Sequence, residues 1–269
     1  MIVWLTSLEK RKVNLAQSKF LSMRILTWNV CGWRSVCAKG FANQIAALDP
    51  DIICLQECRS SKIELPISIA PTYKVFLNPD RFRGTAVLSK VAPRAVHKKL
   101  GHARFDSEGR FLRLDFPHFI LLNVHIPHGG RQKQDLKYKL KVFDVLVSYL
   151  TKLADQKVIV AGDFNVAHTP LDLARPKQNE NNIMFTAAER AKIDELLDLG
   201  FVDAFRLFNG QPGCYTWWLR AFNARQRNIG WRIDYIFVSK PLARKLKSAR
   251  ILPEVHGSDH APVEVVLSL

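Results

Sequence analysis

Val158-Ile159-Val160-Ala161-Gly162-Asp163-Phe164-Asn165 is an apolar run that stops abruptly at an acid, with an amide two residues further on. Such a run, bounded by Gly and Asp, reads as a buried strand whose end carries chemistry. The construction recurs in Thr27-Trp28-Asn29, Leu55-Gln56-Glu57, Arg232-Ile233-Asp234-Tyr235 and Gly257-Ser258-Asp259-His260-Ala261-Pro262. Each places an acid, an amide or a histidine at the end of a strand-like run. Strand ends are where a sandwich or an open α/β sheet gathers a site. The five together point to oxygen ligands for Mg²⁺, a base for water, and an imidazole for phosphate.

Around these stretches the pattern alternates between strands and helices. Arg24–Val30, Asp51–Gln56, Tyr73–Leu77, Thr85–Leu88, Phe111–Phe116, Phe119–Ile126, Ile233–Val238 and Val263–Leu267 read as strands, with a hairpin around Pro117-His118. Arg34–Leu48 reads as one helix ended by Asp49-Pro50. Lys133–Leu153 reads as an amphipathic helix with Leu136, Leu140, Phe143, Val147 and Leu150 toward the core. Thr186-Ala187-Ala188-Glu189 is a capping box that opens a further helix, and Gly200 closes it. Many short strands in two halves, mixed with helices, predict an α/β fold of two sheets packed face to face with helices outside.

The 269 residues suffice for one large core, and no Gly/Ser/Pro-rich linker divides them. A single domain over residues 23–269 is expected, with residues 1–22 an N-terminal extension, disordered or an over-extended start. Lys and Arg outnumber Asp and Glu by 40 to 24, a formal charge of +16, which favours a polyanionic partner. Five cysteines without CxxC spacing are expected to be reduced, in a cytoplasmic setting (nucleoid-associated in a prokaryote). No stretch approaches the roughly 20 apolar residues that span a bilayer.

Glu57 and Asp259 are the carboxylates expected at a metal, with Asn29 beside them; Mg²⁺ takes one or two carboxylates and otherwise keeps water and substrate oxygens. Asp163 and Asn165 project to one face if the strand continues, so that Asp163 can take a proton from water and Asn165 can orient it. The same Gly-Asp-x-Asn also suits an Asx turn. Asp234 is the partner expected for His260, because an unpaired carboxylate in an apolar strand is costly. Asn179 and Asn182 form a polar loop suited to phosphates. Trp217, Trp218 and Trp231, interleaved with arginines, suit stacking on an extruded nucleotide. Arg131 and Arg34 complete the residues expected at DNA.

On these motifs the chain resembles the exonuclease III / apurinic-apyrimidinic endonuclease family, within the endonuclease–exonuclease–phosphatase superfamily. The likeness runs from Met23 to Leu269. Its more specific parts are Asp163-Phe164-Asn165-Val166-Ala167-His168 and Asn228-Ile229-Gly230-Trp231-Arg232-Ile233-Asp234-Tyr235. The resemblance implies a four-layered α/β sandwich and hydrolysis of the phosphodiester 5′ to abasic sites in double-stranded DNA. Mg²⁺ is the implied cofactor, with Mn²⁺ as the alternative. It further implies 3′→5′ exonuclease and 3′-end-cleaning activities, acting as a monomer. By position, Asn29, Glu57 and Asp259 fall at the metal, Asp163 and Asn165 at the attacking water, and His260 with Asp234 at the phosphate.

Two residues depart from the family pattern. His125 stands where a tyrosine is usual near the scissile phosphate, and bound phosphate is expected to raise its pKa. It favours the alternative reading, a nonspecific DNase I-like nuclease or a phosphomonoesterase. Cys31 stands where Asp or Asn is usual.

Overall fold

The computed structural model describes residues 22–268. The expectation for the N-terminal extension falls on residues 1–21, outside the described residues, apart from its last position.

The chain runs β1 (Met23–Asn29), α1 (Trp33–Ala38), α2 (Phe41–Leu48), β2 (Ile52–Gln56), β3 (Lys74–Asn78), β4 (Thr85–Ser89) and β5 (Ala95–His97). Next come α3 (Ala103–Ser107), β6 (Phe111–Asp115), β7 (Ile120–His125), α4 (Leu136–Thr151) and β8 (Val158–Asp163). A 3₁₀ turn (Pro170–Asp172) precedes α5 (Pro176–Asn179), α6 (Ala187–Asp198), β9 (Phe201–Asp203), α7 (Ala204–Phe208) and the strands β10 (Trp217–Trp218) and β11 (Gly230–Trp231). β12 (Asp234–Ser239), α8 (Lys240–Ala243), β13 (Leu246–Ile251) and β14 (Val263–Leu267) finish it.

One six-stranded sheet has the order β13-β14-β1-β2-β4-β3 and the other β5-β6-β7-β8-β12-β9. Each holds one parallel pair, β1 with β2 and β7 with β8, among antiparallel neighbours. Side-chain alternation along the strands builds three apolar layers. Ile25, Cys54 and Val87 meet Leu121, Ile159 and Ile236 between the sheets. Leu26, Trp28 and Ile53 pack outward against Trp33, Phe41 and Ile45 of α1 and α2. Leu122, Val160 and Phe237 pack outward against Phe143 and Leu146 of α4 and Ile193 of α6. Three apolar interfaces require four layers, helix–sheet–sheet–helix, as expected.

Three local expectations are corrected. The helix over Arg34–Leu48 is two helices, because Gly40 takes a left-handed φ of 89° between them. The buried stripe of α4 is Lys139, Val142, Phe143, Leu146 and Leu150, one position round from the expected stripe; Leu136, Leu140 and Val147 are only half-buried. Apolar residues cover more than one face of this helix, so periodicity alone does not fix the rotation. Asn165 has φ 53°, so the chain leaves the extended conformation after Asp163. The Asn165 amide N–H donates to Asp163 Oδ1 at 2.9 Å, which is the Asx turn and not a continued strand.

The sheets are tied at one end by buried polar groups. Gln56 donates to Thr27 Oγ1 at 2.9 Å and to Asn123 Oδ1 at 2.7 Å, and Asn123 Nδ2 donates to the carbonyls of Leu55 and Ala86. Both parallel pairs point their carboxyl ends here, in the registers Asn29↔Gln56 and His125↔Asp163. Among the described residues, no helix is long and apolar enough to cross a membrane. All five cysteines are free.

Candidate active site

Four carboxyl ends and two strand beginnings converge at that tied end. Asp163 closes β8 and lies opposite Asp234, the first residue of β12, in antiparallel register. Gly162 makes the close approach possible: a Cβ there would stand 1.9 Å from the Val124 carbonyl oxygen of β7. His125 closes β7, Asn29 closes β1, and Glu57 follows β2 with a left-handed φ of 50°. Asp259 and His260 precede β14, and an isolated bridge joins His260 to Trp217.

These groups line a cavity of about 350 Å³ that includes Glu57, His125, Asp163, Asn165, Asp259 and His260. His260 Nδ1 lies 2.9 Å from Asp234 Oδ2, and both side chains are buried. Thr216 Oγ1 accepts from the Ile233 and Asp234 amides and so fixes the start of β12. Burial opposes the charged ring, but Asp234, Asp163 and Asp259 outweigh it and push His260 up to about 10. Burial, then the charge of Asp234, pushes Asp163 up to about 7. The His260 ring thus lies among Asp163, Asp234 and Asp259 in a buried site.

Asn29 Nδ2 donates to Asp163 Oδ2 at 2.9 Å and to Glu57 Oε1 at 3.2 Å, while its Oδ1 accepts from the Cys31 amide. The Asn29 side-chain N–H group thus spaces two carboxylates. Asp259 Oδ1 accepts from Arg220 Nη2 at 2.9 Å, and Arg59 pairs with Glu57. The carboxylates of Glu57 and Asp163 with a ring nitrogen of His125 lie within 4.8 Å of one another. Convergent carboxylate oxygens at Glu57 and Asp163 fit a divalent ion.

The rise expected for His125 with bound phosphate starts, in the free protein, from a lowered value. Burial, then Arg110 and His260, push the imidazole well below its ordinary value. It is neutral at pH 7.

An adjoining cavity of about 660 Å³ is lined by Arg131, Asn179, Asn182, Met184, Trp217, Phe222 and Trp231, among others. Trp217 and Met184 line both cavities, so the two are neighbours. Trp218 is corrected. It is 3% exposed, donates to Asn228 Oδ1 and packs under Arg225, because successive side chains on a strand face opposite ways. Arg34 lies apart from both cavities, in a groove with Arg59, Ser60 and Arg81.

Arg220, one of the arginines read beside the tryptophans as suited to DNA, instead holds Asp259. Two residues that organise the site left little signal in the sequence. Arg59 is on a loop with no periodic pattern. Lys139 is fully buried and donates to the Asn165 carbonyl at 2.6 Å and to Glu189 Oε1 at 2.5 Å, holding the turn behind Asp163. Its place among polar residues of α4 hid it, though its i+4 spacing to Phe143 was a signal.

The sequence pattern of the Endonuclease/Exonuclease/phosphatase family matches residues 26–260. The chain belongs to that family. It is 40% identical over 259 residues to a DNA-(apurinic or apyrimidinic site) endonuclease of Dictyostelium discoideum, spanning 92% of this chain and 71% of that protein. To an exodeoxyribonuclease of Bacillus subtilis it is 38% identical over 252 residues, 92% of this chain and 100% of the other. A Neisseria 3′ phosphatase bound to a product DNA hairpin superposes with a TM-score of 0.85 at 28% identity, covering 92% of this chain and 100% of that one. The chain is thus a DNA repair nuclease of the apurinic/apyrimidinic endonuclease and exodeoxyribonuclease III type.

Proposed function

We propose that this chain hydrolyses the phosphodiester 5′ to abasic sites in double-stranded DNA, leaving a 3′-hydroxyl, and that the same site trims and cleans 3′ ends. One observation carries this reading. Asp163 and His260, the latter paired with Asp234, line a cavity that shares Trp217 with a neighbouring chamber of about 660 Å³ walled by Trp217 and Trp231. A stacked or apolar wall accepts an extruded abasic sugar and adds roughly 1–3 kcal/mol.

Asp163, at about 7, takes the proton from the attacking water while still ionised enough to act near neutral pH. Asn29 fixes its Oδ2, and the Asn165 turn fixes its Oδ1. His260, held as imidazolium by Asp234, faces the phosphate oxygen on which charge builds. A divalent ion at Glu57 and Asp259, Mg²⁺ or Mn²⁺, would supply Lewis-acid stabilisation of that phosphate. Arg131, Asn179 and Asn182 grip the backbone beside the chamber, and Arg34 meets it further along. The chain acts as a monomer in this account.

The test compares a duplex with one abasic site, an intact duplex and a recessed 3′ end, with Mg²⁺ and with chelator. Metal-dependent incision at the abasic site supports the reading. Equal cutting of the intact duplex would favour a nonspecific nuclease, the reading to which His125 lends itself.

A further inference from the structure

His125 lines the acidic cavity, and the proposed mechanism gives it no task. Its ring is 4% exposed. Nδ1 is buried with no hydrogen-bond partner, which is a costly state for an imidazole. Nε2 stands 3.6 Å from Glu57 Oε1 and 3.9 Å from Asp163 Oδ2. Both separations are too long for hydrogen bonds. They have another meaning. Two ligand atoms each about 2.1 Å from one ion are about 3.0 Å apart in an octahedron and about 3.4 Å apart in a tetrahedron. Nε2 and Glu57 Oε1 are a few tenths of an ångström outside that spacing, on the walls of one cavity.

We propose that His125 Nε2 ligates the divalent ion held at Glu57, and that this nitrogen makes the site select Mn²⁺ over Mg²⁺. The inference rests on the metal-dependent reading above and specifies its ion. The chemistry is that of donor softness. Mg²⁺ takes oxygen almost exclusively, whereas imidazole suits later ions, and affinity for nitrogen-containing sites rises along the first transition row. A tyrosine at this place would offer a neutral phenol, a poor ligand at pH 7. Histidine offers a ring-nitrogen lone pair in the neutral imidazole. The Asn29 amide keeps Glu57 and Asp163 apart, so that Asp163 stays at the water while Glu57 and His125 face the ion.

The direct readout is pulsed electron paramagnetic resonance of the full chain loaded with Mn²⁺ alone, grown with natural or ¹⁵N-labelled histidine. A hyperfine coupling to a directly bonded histidine nitrogen is expected, shifting with the label, lost in His125→Asn and retained in His260→Asn. Calorimetric titration of the same proteins should show Mn²⁺ affinity falling tenfold or more in His125→Asn, with Mg²⁺ affinity changed less than threefold. No nitrogen coupling in the wild type overturns the proposal whatever the variants do. Coupling that survives His125→Asn but vanishes in His260→Asn assigns the nitrogen to the other histidine and also overturns it. Equal losses for both ions reduce His125 to a packing residue. Abasic-site cleavage with Mg²⁺ but no coupling defeats this inference alone; no metal binding and no cleavage defeats it together with the function proposed above.

Discussion

Lys139→Met tests how the fold holds the catalytic turn. The ammonium is fully buried, donates to the carbonyls of His128 and Asn165, and pairs with Glu189 at 2.5 Å. Removing one member of a buried ion pair costs about 3–5 kcal/mol, because the other is left charged without its counter-ion. Glu189 keeps three acceptor contacts, from the Met184 amide, the Thr186 amide and the Thr186 hydroxyl, which places the loss toward about 3 kcal/mol. With a urea dependence of about 3 kcal/mol per molar, the unfolding midpoint falls by about 1 M. Adding Glu189→Gln removes the stranded charge, so the double variant should be more stable than Lys139→Met alone. Turnover at saturating substrate should fall about tenfold in Lys139→Met, since the turn two residues beyond Asp163 loses its anchor. A midpoint shift below about 0.3 M, or strictly additive single and double variants, would refute the pairing argument.

Gly162→Ala forces a Cβ into the Val124 carbonyl and moves Asp163, so cleavage should drop about 100-fold while duplex binding, measured by anisotropy, holds. The His260–Asp234 pair raises the folded-state pKa of His260 to about 10, above the unfolded value near 6.5. Its stabilisation is therefore full below about pH 6.5 and lost as pH rises through about 10. The melting-temperature advantage of the wild type over Asp234→Asn in chelator should shrink across that window, and a constant difference would contradict the pairing. Trp217→Ala or Trp231→Ala should harm abasic-site incision more than removal of a 3′ phosphate. Trp218→Ala should instead cost about 3–5 kcal/mol of stability with substrate preference unchanged. Binding should weaken steeply with salt, as the chain carries +16; a flat titration would point to a small-molecule phosphatase.

The sheets and the centre of the site were legible because acids in apolar strands are rare and costly. Glu57, Asp163, Asp234 and His260 announce themselves by their flanks. Residues held by tertiary context left weaker signals. β13 follows no alternation, carries a register shift between Leu246 and Ser248, and exists because β14 offers it an edge. Trp217 and Trp218 are identical in sequence terms, and only the direction of one short strand sends the first to the cavity and the second to the core. Asn29 reads as a ligand from its place at a strand end. Its role as a spacer depends on which way an amide faces, set by the Cys31 amide and two carboxylates.

The central claim is that Asp163 and His260 do chemistry at a metal-loaded site fed by the Trp217–Trp231 chamber. Single-turnover cleavage of a duplex with one abasic site measures it most directly, for wild type, Asp163→Asn and His260→Ala, with Mg²⁺ or Mn²⁺ and with chelator. The account predicts incision 5′ to the abasic site that chelation abolishes, and losses of about two to four decades in each variant with duplex affinity near wild type. Cleavage that persists in chelator, or either variant within about tenfold of wild type, would contradict it.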